Sequence, residues 1–180
     1  MKKKLTTVLA IVLVVALSVA GTYAYLTDKT ATIKNTFTVG NVNIDLTEKT
    51  TDYKMVPGTT INKDPKVTVK ADSEDCWLFV KVVKSDNFDD FMTYDMANGW
   101  TALEGVDGVF YRPVEAGAAD QDFAVLANDT VSVKSDVTKD MMDAIKEGTA
   151  TNPTLTFTAY ACQTAGFENK AAEAWAEVSK

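Results

Sequence analysis

What most constrains this chain is a side-chain period of two, set down again and again in short runs. Ile33, Phe37 and Val39 fall in phase, with Asn35 the polar exception. Gly40-Asn41 interrupts, and Val42, Ile44 and Leu46 resume the period. Val67 and Val69 repeat it within Lys66–Val69, and Leu155, Phe157, Ala159 and Ala161 carry it furthest. Successive side chains of an extended strand point to opposite faces, so such alternation marks strands with one face buried and one wet. A helix would scatter the same residues around its axis. One run differs: Cys76 to Val83, CWLFVKVV, is apolar almost throughout, which suits a central strand covered on both faces.

Punctuation between these runs is dense. Pro57-Gly58 reads as a turn, and Gly99-Trp100 and Gly105 to Gly108 bracket short pieces. Val109 to Tyr111 reads as a strand that Pro113 is expected to end. Phe123–Leu126 and Val131–Val133 read as strands joined by the turn Asn128-Asp129. Helical signals are few. Asp86 to Met92 fits one turn with Phe88, Phe91 and Met92 on its buried side. The spacing of Met141, Met142 and Ile145 predicts a helix over Thr138 to Glu147, with Thr138 as N-cap and Gly148 just past its end. Asn169 to Val178, rich in Ala and Glu, closes the chain as a helix. Many short strands with few helices predict a mainly β fold: an antiparallel, jelly-roll-like β-sandwich with one or two short helices. No internal repeat, low-complexity tract or interdomain linker divides it.

The first 24 residues read differently. Lys2, Lys3 and Lys4 precede an apolar stretch from Leu5 to Ala20, and Thr22-Tyr23-Ala24 offers a small residue at a cleavage point. The stretch is about 16 residues, short of the roughly 20 a spanning helix needs. The expectation is a signal peptide over 1–24, cut after Ala24, and a single β-sandwich domain over 25–180. On that reading the only membrane contact is through the uncleaved signal.

Composition narrows the chemistry. With 25 acidic and 18 basic residues the chain is net −7, and loss of the signal removes three lysines and no acid. Nucleic acid is therefore not an expected partner, since phosphate binding needs clustered Lys and Arg. Arg112 is the single arginine. There is no histidine, which removes Ser-His-Asp and Cys-His mechanisms and His-ligated zinc, and no S-x-x-K motif is present. No catalytic residue, cofactor or metal is expected. The acid groups Asp72/Glu74/Asp75, Asp86/Asp89/Asp90 and Asp120/Asp122 match no twelve-residue calcium loop, and solvated loop charge is the simpler reading. Paired carboxylates would also suit a glycosidase, but nothing fixes two acids across a groove.

Two cysteines, Cys76 and Cys162, leave two readings open: a disulfide, permitted by export and worth about 4 kcal/mol in the chain-entropy model, or two small buried thiols. Of the tryptophans, Trp77 reads as core, Trp175 as a pin for the last helix, and Trp100 as the one candidate for a surface sugar platform.

Several stretches resemble a known family. GTYAYLTDK followed by NTFTVGNVNIDL, then GWTALEGVDGVFYRPVEAG (Gly99 to Gly117), LTFTAYACQTAGF (Leu155 to Phe167) and AAEAWAEV (Ala171 to Val178), are similar to TasA/camelysin-like proteins. The resemblance implies a jelly-roll protein of the Gram-positive cell surface or biofilm matrix, exported by a dedicated signal peptidase and self-associating, or joining related matrix subunits, into fibres. It also implies that an N-terminal segment of one subunit completes the sheet of the next. In this chain that segment would be residues 25–39, with Ile33, Phe37 and Val39 entering the neighbour's groove and backbone hydrogen bonds supplying sequence-tolerant affinity. The same residues as a first strand of their own sheet are the competing reading. Alternative functions are a monomeric surface module binding carbohydrate or protein, and a camelysin-type metalloendopeptidase, for which the sequence offers neither H-E-x-x-H nor any histidine.

Overall fold

The computed structural model describes residues 41–49 and 53–180. In chain order the elements are β1 (Ile44–Thr47), β2 (Thr60–Asn62), β3 (Lys66–Val69), β4 (Cys76–Lys84), α1 (Phe88–Phe91), β5 (Met92–Thr93), β6 (Thr101–Ala102), β7 (Val109–Val114), β8 (Gln121–Ala124), β9 (Thr130–Val133), α2 (Lys139–Lys146), β10 (Leu155–Gln163) and α3 (Ala171–Val178). The fold is mainly β with short helices, as the alternation predicted. All pairings are antiparallel, in three sheets ordered β1-β3-β8, β10-β4-β7-β6 and β2-β9-β5.

The four-stranded sheet is the middle layer, and β4 shows why. Its Cys76, Leu78, Val80 and Val82 join Val67 and Val69 of β3 in one buried cluster. Its Phe79, pointing the other way, joins Val109, Leu103 and the α3 residues Ala171, Ala174 and Trp175 in another. The nearly continuous apolar run of β4 is thus explained by two covered faces, each fully buried aliphatic or aromatic side chain contributing about 1.5–3 kcal/mol of burial. A third cluster gathers Phe88, Phe91, Met92, Leu126, Val131, Val133 and Val137 under α2, whose Met141, Met142 and Ile145 pack against it.

Local signals set the ends of α2. The Thr138 hydroxyl accepts from the Met141 N–H at 3.3 Å, the N-cap bond that its position predicted. Gly148, at φ +74°, turns the chain out, and its N–H reaches the Ile145 carbonyl at 3.0 Å. Trp175 pins α3 as expected: its ring meets Phe79 at 5.5 Å and Tyr160 at 5.1 Å.

Two boundaries depart from expectation: β8 runs over Gln121–Ala124 rather than Phe123–Leu126, because its pairing with β3 is set by Lys66–Val69 and leaves Leu126 in a single bridge to Met96, and the end of β7 lies elsewhere. Pro113 does not end its strand, because β7 runs on to Val114 with Pro113 opposite Trp77. The Val82 N–H donates to the Gly108 carbonyl at 2.7 Å, which fixes the hydrogen-bonding phase of the pair. Counting by two, Pro113 falls at a position whose nitrogen faces away from β4. On that outer side β6 pairs only Phe110 and Tyr111, so the missing N–H breaks no ladder.

Candidate functional site

An assembly surface has to be sought at the strand edges, where backbone groups lack partners, and the sheets offer unequal ones. Edges β2, β5 and β6 have three, two and two residues. Edge β8 carries Asp122, whose carboxylate takes the Lys66 ammonium and the Thr68 hydroxyl, each at 2.6 Å. Its Ala124 carbonyl is covered by the Trp100 indole N–H at 2.8 Å. Edge β1 carries Asp45, 3.0 Å from Lys70. Edge β10 is of another kind. It is nine residues long, LTFTAYACQ, with no charge, proline or glycine, and among the described residues it pairs with β4 alone.

Register shows what that edge presents. The Ser85 N–H donates to Thr154 at 3.0 Å and the Thr164 N–H donates to Asp75 at 2.9 Å. Counting by two between these bonds, the backbone groups of Leu155, Phe157, Ala159, Ala161 and Gln163 face away from β4. The side chains of the first four, with Val42 and the β1 residues Ile44 and Leu46, are only half-buried against the β3–β4 core. Among the described residues, the border between β1 and β10 therefore joins a ladder with no strand partner to an apolar row, both addressed by a strand of period two. Ala24, Ile33, Phe37 and Val39, the cleavage and assembly residues read from sequence, lie outside the described residues.

The two cysteines are free, and register shows why no disulfide joins them. Cys76 stands opposite Gln163 and Cys162 opposite Trp77. Neighbouring positions point to opposite faces, so Cys76 faces the β3–β4 core while Cys162 faces the α3 core. Burial pushes the Cys76 thiol up to about 11 and raises that of Cys162 as well.

Trp77 packs edge-on to Tyr111 at 5.6 Å and its indole N–H donates to the Phe167 carbonyl. Trp100 is no open sugar platform: it is half-buried, its N–H is used within the chain, and Arg112 lies over its ring. Four of the eight grouped acids hold partners within the chain. Asp120 accepts from the Ala71 N–H and from Lys70, Asp89 from Lys84, and Asp75 from the Ala116 N–H. The backbone bond from Ala71 holds the Asp120 carboxyl below its ordinary range, and Lys66 does the same for Asp122.

Two arrangements have no signal in the sequence beyond single letters. Lys63 is buried, 2.7 Å from Glu48, with the rings of Tyr53 and Phe157 at 5.1 and 5.3 Å. The Tyr53 hydroxyl donates to the same Glu48 oxygen at 2.6 Å. A cavity of about 410 Å³ opens beside this network, walled by Met55, Ile61, Phe88, Met92 and Leu155. The second arrangement is Arg112, clamped between Phe123 and Trp100.

Among the described residues, these features define an antiparallel β protein with one long edge free of charge and proline. The chain belongs to the camelysin family: residues 1–93 match the family model described as Camelysin metallo-endopeptidase. No curated protein and no solved structure matches it. The family's description implies a metal, and the donor set does not fit one. The chain has no histidine, and among the described residues no group of three or more Cys, Asp or Glu side chains is placed to hold an ion.

Proposed function

We propose that this protein is a non-enzymatic structural subunit of the bacterial cell surface or extracellular matrix, exported by its N-terminal signal and assembled into fibres by strand addition. The observation that carries this reading is the β10 edge: nine residues without charge or proline, backbone groups of Leu155, Phe157, Ala159, Ala161 and Gln163 directed outward, and an apolar row beside it. Soluble proteins normally blunt such an edge with lysine, proline or brevity. On this reading cleavage after Ala24 frees residues 25–39, and Ile33, Phe37 and Val39 of one copy fill the apolar row of the next. Absence of histidine and the scattered, lysine-bound acids favour a structural role over peptidase activity.

The test uses protein processed after Ala24, examined by electron microscopy over a concentration series. Fibres are expected from the parent protein. Ala159→Pro removes an outward N–H without touching the β4 ladder, and Thr158→Lys puts a charge on the edge; both are expected to stop fibres while melting stays cooperative. Undiminished fibres from both variants, or from protein starting at Asn41, would overturn strand addition. Chelator-sensitive peptide cleavage by the purified protein would overturn the non-enzymatic part.

A further inference from the structure

Eight of the twelve lysines among the described residues pair with carboxylates. Lys49 reaches Asp64, Lys63 reaches Glu48, Lys66 reaches Asp122, Lys70 reaches Asp45 and Asp120, and Lys84 reaches Asp89, all within 3.2 Å. The single arginine does not. The Arg112 Cζ lies 4.2 Å from the centre of the Phe123 ring and 5.6 Å from that of Trp100. Its terminal nitrogens sit 3.1 and 3.2 Å from where a Cβ on Gly99 would stand. Gly99 has φ +90° and no side chain, and the guanidinium lies over it. Trp100 is itself fixed by its bond to the Ala124 carbonyl. Yet among the described residues the buried Nε has no hydrogen-bond partner and no carboxylate reaches the fork.

A guanidinium held on its faces keeps its planar edge for one ligand geometry, the two oxygens of a carboxylate. Pre-ordering removes much of the entropy such a contact otherwise costs. Arginine beside tryptophan is also the composition of an interface anchor. A polyanion does not fit, because one arginine on a net negative chain gives no row of contacts along a phosphate or uronate polymer. A lone carboxylate on a protein does, and this chain carries exposed ones at the far end of the hairpin that holds the clamp. Glu104 and Asp107, in the turn between β6 and β7, are exposed and form no ion pair among the described residues.

We propose that the Trp100–Arg112–Phe123 clamp is an interface that receives a carboxylate, Glu104 or Asp107, from a second copy of this chain. In a two-fold pair the contact occurs twice, each copy giving its turn to the other's clamp. This contact lies on the β7–β8 side, at the other end of the sheets from the β1–β10 border, and does not depend on strand addition.

Sedimentation velocity over a concentration and salt series tests it, using the full chain carrying Thr158→Lys so that blocked edges leave only this contact. A dimer weakened by salt is expected. Arg112→Gln should weaken it at least about tenfold, and Arg112→Lys should weaken it nearly as much, because an ammonium keeps charge but loses the fork. Glu104→Gln with Asp107→Asn should match Arg112→Gln. Thermal melting of each variant confirms folding, and Arg112→Lys carries the test if the glutamine variant fails to fold. A parent protein that stays monomeric at every salt, or a dimer indifferent to the Arg112 and Glu104/Asp107 changes, overturns the proposal. Dissociation of the dimer by millimolar acetate supports it, whereas acetate binding to Arg112 with no dimer at any concentration makes the clamp a small-anion site and overturns it too.

Discussion

Removing one partner of the Lys63–Glu48 pair should cost far more than removing both. Lys63 is 8% exposed overall, and the side chains of the pair are 9% and 16% exposed, so neither charge is well solvated. Glu48→Gln leaves an ammonium facing two aromatic rings with a neutral amide where its carboxylate stood. Breaking a buried pair from one side costs about 3–5 kcal/mol; the residual exposure of Glu48 moves the expectation to about 2–4 kcal/mol. For a domain of this size that lowers Tm by roughly 5–15 °C. Lys63→Met should cost a similar amount by stranding Glu48, which among the described residues then keeps the Tyr53 hydroxyl. Glu48→Leu combined with Lys63→Met abolishes both charges and should recover most of the loss, short of about 1 kcal/mol for a hydroxyl without its acceptor. Urea melts of the single and double variants, read by tryptophan fluorescence, give the coupling energy directly. Singles that each cost less than about 0.5 kcal/mol would show that solvent screens the pair and would refute the argument.

Other expectations follow from packing and titration. Trp175→Ala should cost about 3–5 kcal/mol and release α3 first, seen as fast amide exchange over Ala171–Val178 ahead of the sheets. Asp64, Asp120 and Asp122 have folded-state carboxyl groups held below their ordinary range by Lys49, the Ala71 N–H and Lys66 respectively. Their contribution is therefore complete above about pH 4 and lost as pH falls through the lowered values. With no histidine, Tm should be flat from about pH 5 to 8 and drop only below about pH 4, as a calorimetric pH series would show. At pH 8 iodoacetamide should modify Cys162 slowly and Cys76 only on unfolding, because burial holds the Cys76 thiol near 11; mass spectrometry of the native protein checks the order.

Legibility followed local physics. Period-two runs gave β1, β3 and β10, and the apolar run gave β4, because alternation and its absence report directly on how many faces are covered. Thr138 and Gly148 marked the ends of α2 because caps are decided within a turn. Strands β2, β5 and β6 were not legible, since two or three residues carry no period. Pro113 misled because its meaning depends on which side of β7 is paired, a fact of sheet order. The same limit governs the site. LTFTAYACQ reads as a strand from sequence, but its place at an edge does not, and neither does the offset that parts Cys76 from Cys162. Arg112 was visible as the single arginine, while the rings and glycine around it arrive from two other segments, Gly99-Trp100 and β8.

β10 touches every core of the described structure. Leu155 and Phe157 serve both the β3–β4 and the α2 clusters, Ala159 and Ala161 the first of these, and Tyr160 and Cys162 the α3 cluster. Any tension pulling along this strand is spread in shear across nine paired residues and into all three packing centres at once. The border through which one unit would haul on another is thus the part of the molecule that can least be peeled away.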